Sequence, residues 1–552
     1  NTVMEHIRQT EIDGILVDEW LFMTPAFCGC ASCRKFFTED TGYQLPADEL
    51  SKDLNNPKSA LWRTWEEWRR RKIGEFWLNL RKKVAEYRKD FIFIGYTTEY
   101  GLTGNWATND MGSDIFNYAR SWDMIGTEIM PRNVFACARA MNSTRKAFSV
   151  FNRNGNTPVF GLVYANDWKI KYFGWAMNNL NAQQTWETRF IPCPAGEVNF
   201  RTFTVDKGNM DLTKAKSAAK TALLFSETSR NMAGSFPAAG AYRREIFGTA
   251  QMLEQLHIDY DMISEEDLTA EKLAKYSVLV LGNSPYLSDK YLAVIMDFMK
   301  NGGTVSASYM TGICNEFGKL RTNDLAGTIF GWKGSAKGPA GAEIAAIAID
   351  GKTGVKPLRS IQFRRMPSLP VKDSEAAFVT KANRKLPAVI SKKVGKGKFV
   401  YYPGMYGSGN CSNYLMVGSK HTFQPDLALE KFQKKLLSDL LDNTRTWQAD
   451  NLPEEVFSAS YTQDNKFVVH FLNAVNSMPE VGKVVGYYLD KTAFPKLDTF
   501  TVTVPFKVKK AYAVSPEFSG SKALNVEVKN SASKVTVPGG LFKVYSLIYL
   551  EK

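Results

Sequence analysis

Carboxylates, thiols and aromatic rings are the side chains here that could do chemistry, and they fall in a few short runs. DGILVDEW, residues 13 to 20, ends in the adjacent carboxylates Asp18 and Glu19. Glu128 stands in MIGTEI, Tyr96 and Glu99 in YTTEY, and Asp167 and Trp168 in NDW. Most glycoside hydrolyses use two carboxyl groups flanking the scissile bond, so these residues suit that reaction. Glu128 closes a strand two strands after DGILVDEW, which lets its side chain face the same pocket as a carboxyl from that first run. Neighbours on a strand point to opposite faces, so Asp18 and Glu19 share a pocket only if the strand ends between them. Asp167 could serve as a carboxyl by default, although Glu99, Asp123 and Asp167 suit hydroxyl binding or plain structure better. Tyr96, Trp106, Trp122 and Trp168 are the candidate sugar platform, each weighed evenly against packing.

Cys28, Cys30 and Cys33 form a C-x-C-x2-C cluster that could give three thiolates to a tetrahedral zinc ion. Such a closed site is structural, and Cys137 and Cys193 could supply the fourth ligand. Four His in 552 residues leave little room for a His-based metal site or a Ser-His-Asp triad. No organic cofactor is expected.

Up to about residue 215, short apolar strands alternate with amphipathic helices, which implies βαβ units on a parallel sheet. Strands are expected at 14–17, 91–95, 124–125 and 159–163, each leading into polar residues. Ser59 to Lys89 reads as a long helix whose Trp stripe is core. Polar groups gathered at the C-terminal ends of parallel strands mark the active face of a (β/α)8 barrel. Only four or five strands are legible where closure needs eight, so 1–215 reads as the C-terminal part of a barrel that begins in mid-domain. A doubly wound α/β domain follows over 216–445, and the period-two alternation of 446–552 predicts a β-sandwich.

The balance of 70 Lys plus Arg against 56 Asp plus Glu gives a formal charge of +14. The basic residues are dispersed and carry no nucleic-acid motif, so nucleic acid is not the expected partner. An oligo- or polysaccharide is, and a sulfated or uronic-acid-bearing glycan would exploit the charge. No run reaches the ~18 apolar residues of a membrane span, and the N-terminus lacks the order of a signal peptide. Periplasm, exterior and cytoplasm all remain open.

Three segments resemble the β-galactosidases of glycoside hydrolase family 42 and related hypothetical glycosidases. DGILVDEW followed by CGCASCRKFF matches the family's acid/base strand and zinc cluster, with the same nine-residue offset that separates Glu19 from Cys28. LLFSETSRN (223–231), YRREIFGTAQMLEQLHIDYDMI and YSVLVLGNSPYLSD look like the β-galactosidase trimerisation domain, a glutamine-amidotransferase-like fold without its catalytic apparatus. FVVHFLNAV (467–475) is similar to the family's small C-terminal β domain. The resemblance implies a retaining, galactosidase-like homotrimer with Glu19 as acid/base; Glu128, by its position two strands later, is the candidate nucleophile.

The sequence departs from the family in two places. Asp18 replaces the Asn that precedes the acid/base, and PVFGLVYANDW (158–168) has no Glu where the family's nucleophile strand would carry one. One alternative is an α-L-fucosidase-like enzyme in which Asp18 attacks and Glu128 or Glu19 protonates. Another is a silent glycan-binding protein. An amidotransferase centred on 220–405 is disfavoured because Cys314 lacks a nearby His.

Overall fold

The computed structural model describes residues 2–18, 29–46, 53–54, 56, 58–97, 112, 114–129, 138–151, 157–165, 167–187, 189–194, 200–207, 215–232, 242–332, 344–349, 352–353, 376–380, 385–411, 426–463, 465–475, 477 and 494–552. Five parallel strands, β1 (Gly14–Asp18), β2 (Ile92–Thr97), β3 (Met124–Ile129), β4 (Val159–Val163) and β5 (Gln184–Glu187), pair in chain order. This is the expected barrel arc, and among the described residues it does not close. The fifth strand, QTWE, is one that the sequence reading left unplaced.

The outer face of the arc is sealed by helices, and glycines let them approach. A Cβ on Gly95 would lie 1.2 Å from the Trp122 ring, and one on Gly161 would lie 2.2 Å from Asn178 Oδ1. The helix Ala60–Tyr87 starts at Ser59, whose hydroxyl accepts the Trp62 N–H, and it buries Trp62, Trp65, Trp68 and Trp77. The Trp stripe is therefore core, because each ring removes a large apolar area from water.

The short β6 (Lys216–Ser217) leads into a second sheet built from β7 (Thr221–Phe225), β8 (Tyr260–Ser264), β9 (Val278–Val280) and β10 (Thr304–Ser308). β11 (Ile344–Ile349), β12 (Lys352–Thr353), β13 (Ala377–Thr380) and β14 (Lys385–Pro387) form a small antiparallel sheet. The sequence reading did not identify this sheet. β15 (Ile390–Val394) and β16 (Gly397–Tyr402) return to the larger one, whose order is β15-β16-β10-β9-β7-β8. All its strands are parallel except the edge strand β15. This is the expected doubly wound pattern. Against it the helices Tyr242–Gln255 and Tyr406–Cys411 meet backbone to backbone: a Cβ on Gly248 would lie 1.9 Å from the Gly407 carbonyl oxygen.

The remaining strands are β17 (Gln448–Asp450), β18 (Val456–Gln463), β19 (Lys466–Asn473), β20 (Phe500–Val504), β21 (Lys510–Val514), β22 (Lys522–Ala523), β23 (Asn525–Lys529), β24 (Ala532–Val537) and β25 (Tyr545–Glu551). They make two sheets, β17-β20-β24-β23 and β22-β21-β25-β19-β18-β6. Phe471, Phe500, Val502, Val535 and Ile548 pack between the sheets, which makes the expected sandwich. β6 lies in this sandwich, paired with Tyr461 and Thr462 of β18.

The three regions share cores. Trp168, Trp175 and Phe200 pack with Phe457, Tyr461 and Tyr545 of the sandwich, and Phe116 and Phe151 pack with Phe225 and Phe247 of the doubly wound sheet.

Candidate active site

Strand alternation decides which side chains enter the concave side of the arc. On β1, Ile15 and Val17 pack outward against the helices, so Leu16 and Asp18 point inward. Tyr96, Phe160, Leu162, Ile94 and Met124 form the inner apolar cluster. Glu128 follows Met124 and Gly126 at even steps along β3, so it faces inward too. Register puts Asp18 beside Tyr96, Tyr96 beside Gly126, and Glu128 beside Leu162, near the C-terminal ends of the strands. The inner face thus presents a carboxylate from the first strand and another from the third, with tyrosines between and beside them.

Aromatic rings make the floor. Tyr96 stacks on Phe160 at 6.2 Å between ring centroids, and Trp186 of β5 meets both edge-on, at 6.1 and 5.5 Å. Gly126 is required here, because a Cβ at that position would lie 1.9 Å from the Phe160 ring. Trp186 is 41% exposed and Tyr164 is 39% exposed, so part of each ring remains open to solvent on this face.

Burial pushes the Glu128 carboxyl above its ordinary range. The Tyr164 and Tyr96 hydroxyls oppose that rise by favouring the charged form, and the Asp18 charge adds to it. Burial, with the Glu128 charge behind it, raises the Tyr96 hydroxyl far above its usual value. Glu128, Tyr96 and Tyr164 thus act on one another as a cluster, although Tyr96 Oη and Glu128 Oε2 make no hydrogen bond of full geometry. A carboxyl whose pKa is raised by burial, beside a second carboxyl group, is the arrangement that can separate an acid from a nucleophile.

The other expected site residues fall elsewhere. Trp122 precedes β3 at the opposite, N-terminal end of the sheet, buried against Gly95 and 6.4 Å from Trp77 between ring centroids. It is core rather than platform. Trp168 is also core, with its ring against Phe200 at 4.7 Å and under the Arg201 guanidinium. Asp167 caps the helix Trp168–Leu180 by accepting the Lys169 and Ile170 N–H groups. Asp123 is held by Arg81 at 2.8 Å and by the Phe93 N–H. Glu19, Glu99, Trp106 and Cys28 lie outside the described residues. Sequence reasoning missed Tyr164 and Trp186; the signal for Trp186 was the alternation of Gln184, Thr185, Trp186 and Glu187.

Cys30 and Cys33 sit at the start of the helix Ala31–Thr41, where Cys30 Sγ accepts the Cys33 N–H at 3.4 Å. Two thiols one turn apart suit two corners of a tetrahedral site. Among the described residues no group of three potential metal ligands gathers. Cys314 is buried and its thiol is pushed up to about 11, the reverse of an activated nucleophile. Among the described residues no helix is long and apolar enough to cross a membrane.

Residues 219–408 match the model of the β-galactosidase trimerisation domain. Among solved structures the chain is similar to an α-L-fucosidase from Paenibacillus thiaminolyticus, at 16% identity and a TM-score of 0.67, covering 100% of this chain and 79% of that one. A β-galactosidase from Bacillus circulans sp. alkalophilus gives 12% and 0.63, covering 95% and 77%. A family 42 β-galactosidase from G. stearothermophilus gives 12% and 0.61, covering 95% and 76%. A search of the curated proteins found no match. At these identities the likeness is one of fold: the chain carries the trimerisation domain on the architecture of family 42 β-galactosidases and of an α-L-fucosidase.

Proposed function

We propose that this chain, built on that architecture, is a glycoside hydrolase that releases a terminal sugar, with Asp18 as nucleophile and Glu128 as acid/base. The observation that carries the reading is the pair itself: both side chains enter the concave face at the strand ends, and burial raises the pKa of Glu128, the direction an acid needs. Asp18 attacks the anomeric carbon while Glu128 gives its proton to the departing glycosidic oxygen, and the C–O bond breaks. Glu128, now a carboxylate, takes a proton from water; the water oxygen attacks the same carbon and frees Asp18. Two inversions give net retention. An Asp nucleophile on this strand fits an α-L-fucosidase-like enzyme, in keeping with the fold it shares with one.

A panel of aryl glycosides led by α-L-fucoside and β-galactoside tests this. Asp18→Asn and Glu128→Gln are each expected to lower kcat by ~10²- to 10⁴-fold. Full activity in either variant rejects the pair. The trimerisation-domain match favours a second reading, a galactosidase-like enzyme with Glu19 as acid/base and Glu128 as nucleophile. Under that reading Glu19→Gln collapses turnover and β-galactoside is preferred; under the first, Glu19→Gln stays active. Glycan binding without turnover on any sugar would identify a silent binder.

The trimerisation-domain match also supports a homotrimer, which light scattering of the purified protein would reveal as three times the chain mass. Cys30 and Cys33, joined by Cys28, would hold a structural zinc at the start of the helix Ala31–Thr41. Metal analysis of the protein and of Cys30→Ser tests that assignment.

A further inference from the structure

A cleft of about 1680 Å³ opens where the three regions meet, at the end of the arc opposite the carboxylates. Val159, the first residue of β4, lines it, whereas Glu128 pairs with Leu162 near the other end of that strand. It is therefore not part of the active site.

The charges in the cleft do not cancel. Asp261 is held by Lys275 at 2.5 Å, Asp267 by Lys272 at 3.8 Å, and Glu266 by Arg120. Three of the four acidic side chains lining the cleft are thus neutralised, leaving only the exposed Glu271. Lys216 and Lys220 line the same space, exposed and with no carboxylate at ion-pair distance among the described residues, whereas Lys146 lies over the Tyr260 ring and acts on Asp261 and Glu254. The half-buried ring of Phe506 stands at the sandwich wall of the cleft, with the Lys552 ammonium over one face at 4.4 Å. Unpaired cations lining a concave surface concentrate anions, and an aromatic face in the same cleft suits the C–H face of a sugar.

We infer that this cleft is a second, non-catalytic binding site for an anionic polysaccharide, bearing sulfate or carboxylate groups, that holds the polymer while the active site works on a chain end. The inference adds a polyanionic substrate class to the glycosidase reading, but its test is a binding measurement that needs no turnover. Full-length protein and Lys216→Glu/Lys220→Glu are titrated by calorimetry with a sulfated galactan, a polyuronate and a neutral galactan. Both substitutions are at exposed positions, and matched melting temperatures would establish that the variant is folded.

The wild type is expected to bind at least one polyanion and not the neutral polymer, with affinity that falls as salt rises. The sulfated and uronic arms say which group is recognised. The double variant is expected to bind at least fivefold more weakly while hydrolysing any small aryl glycoside at the wild-type rate. Equal binding by the two proteins, binding to the neutral polymer alone, or binding of nucleic acid in preference to both polyanions would overturn the inference. Turnover with no polyanion binding would leave the glycosidase reading standing and remove this one.

Discussion

The properties of Glu128 depend on its neighbours rather than on its own position in the strand. Burial lifts its pKa, and the Tyr164 hydroxyl works against that lift. Removing that hydroxyl in Tyr164→Phe leaves burial less opposed, so Glu128 holds its proton to higher pH. If Glu128 is the acid, the alkaline limb of kcat/KM moves upward by several tenths of a pH unit or more; an unmoved limb dissociates Glu128 from it. Gly126→Ala places a methyl group where the Phe160 ring lies and displaces the stacked floor. Its expected signature is a KM raised more than kcat is lowered. Asp18, Glu128 and Tyr96 were legible in the sequence because each ends an apolar run. Trp122, weighed evenly between platform and packing, could not be assigned from sequence because a Trp beside a strand looks the same at either end, and only the direction of β3 shows that it lies away from the pocket.

Among the elements, the joint between the arc and the doubly wound sheet combines a shared apolar core with a buried ionic cluster. Asp114 caps the helix Ile115–Tyr118 and receives Arg230 Nη2 and Asn231 Nδ2, each at 3.0 Å, with Arg70 at 3.9 Å. Burial alone would raise its pKa, but Arg230 and Arg70 outweigh burial and hold it below the ordinary value. Asp114→Ala removes the carboxylate that the buried Arg230 donates to, while Arg70 keeps Glu66 and Glu67, and it is expected to cost ~3–5 kcal/mol, read as a lowered denaturation midpoint. Because its folded pKa is depressed, this stabilisation is complete above the usual carboxylate range and is lost as pH falls through it. The wild-type advantage over Asp114→Ala should therefore shrink below about pH 4. SETSRN was legible as a motif, but its role was not, since Asp114 and Arg230 are 116 residues apart. The strands with strict alternation were found, whereas the antiparallel sheet of β11 to β14 lies among small and polar residues that carry no period.

At the scale of the whole molecule, several buried titratable groups pull stability in opposite directions. Glu245 and Glu254 are both raised to about 7 by burial. Their stabilising contribution is complete below the unfolded value and is lost as pH rises through 7. Burial depresses His257 to about 4 and His470 to about 3, so theirs is complete above about 6.5 and is lost as pH falls. Glu245→Gln removes one of the first kind. The melting temperature of the variant relative to wild type should therefore improve from pH 5 to pH 8, and a constant difference would place the carboxyl's titration elsewhere. The sandwich was legible because its strand-only alternation differs from the strand-helix alternation that the arc and the doubly wound domain share. The sharing of cores between parts was not, because no periodicity records which outer face meets which.

The contact between Gly248 and the Gly407 carbonyl makes these properties depend on one another. Ser408 donates its N–H to Glu245 Oε2 at 2.9 Å, and this bond exists because the two helices touch without side chains between them. One methyl group at position 248 would wedge the helices apart and draw that amide away. Glu245 would then lose a donor that favours its charged form, and its pKa would rise further. A change in shape alone would thus become a change in proton affinity, and this seam converts distance into charge.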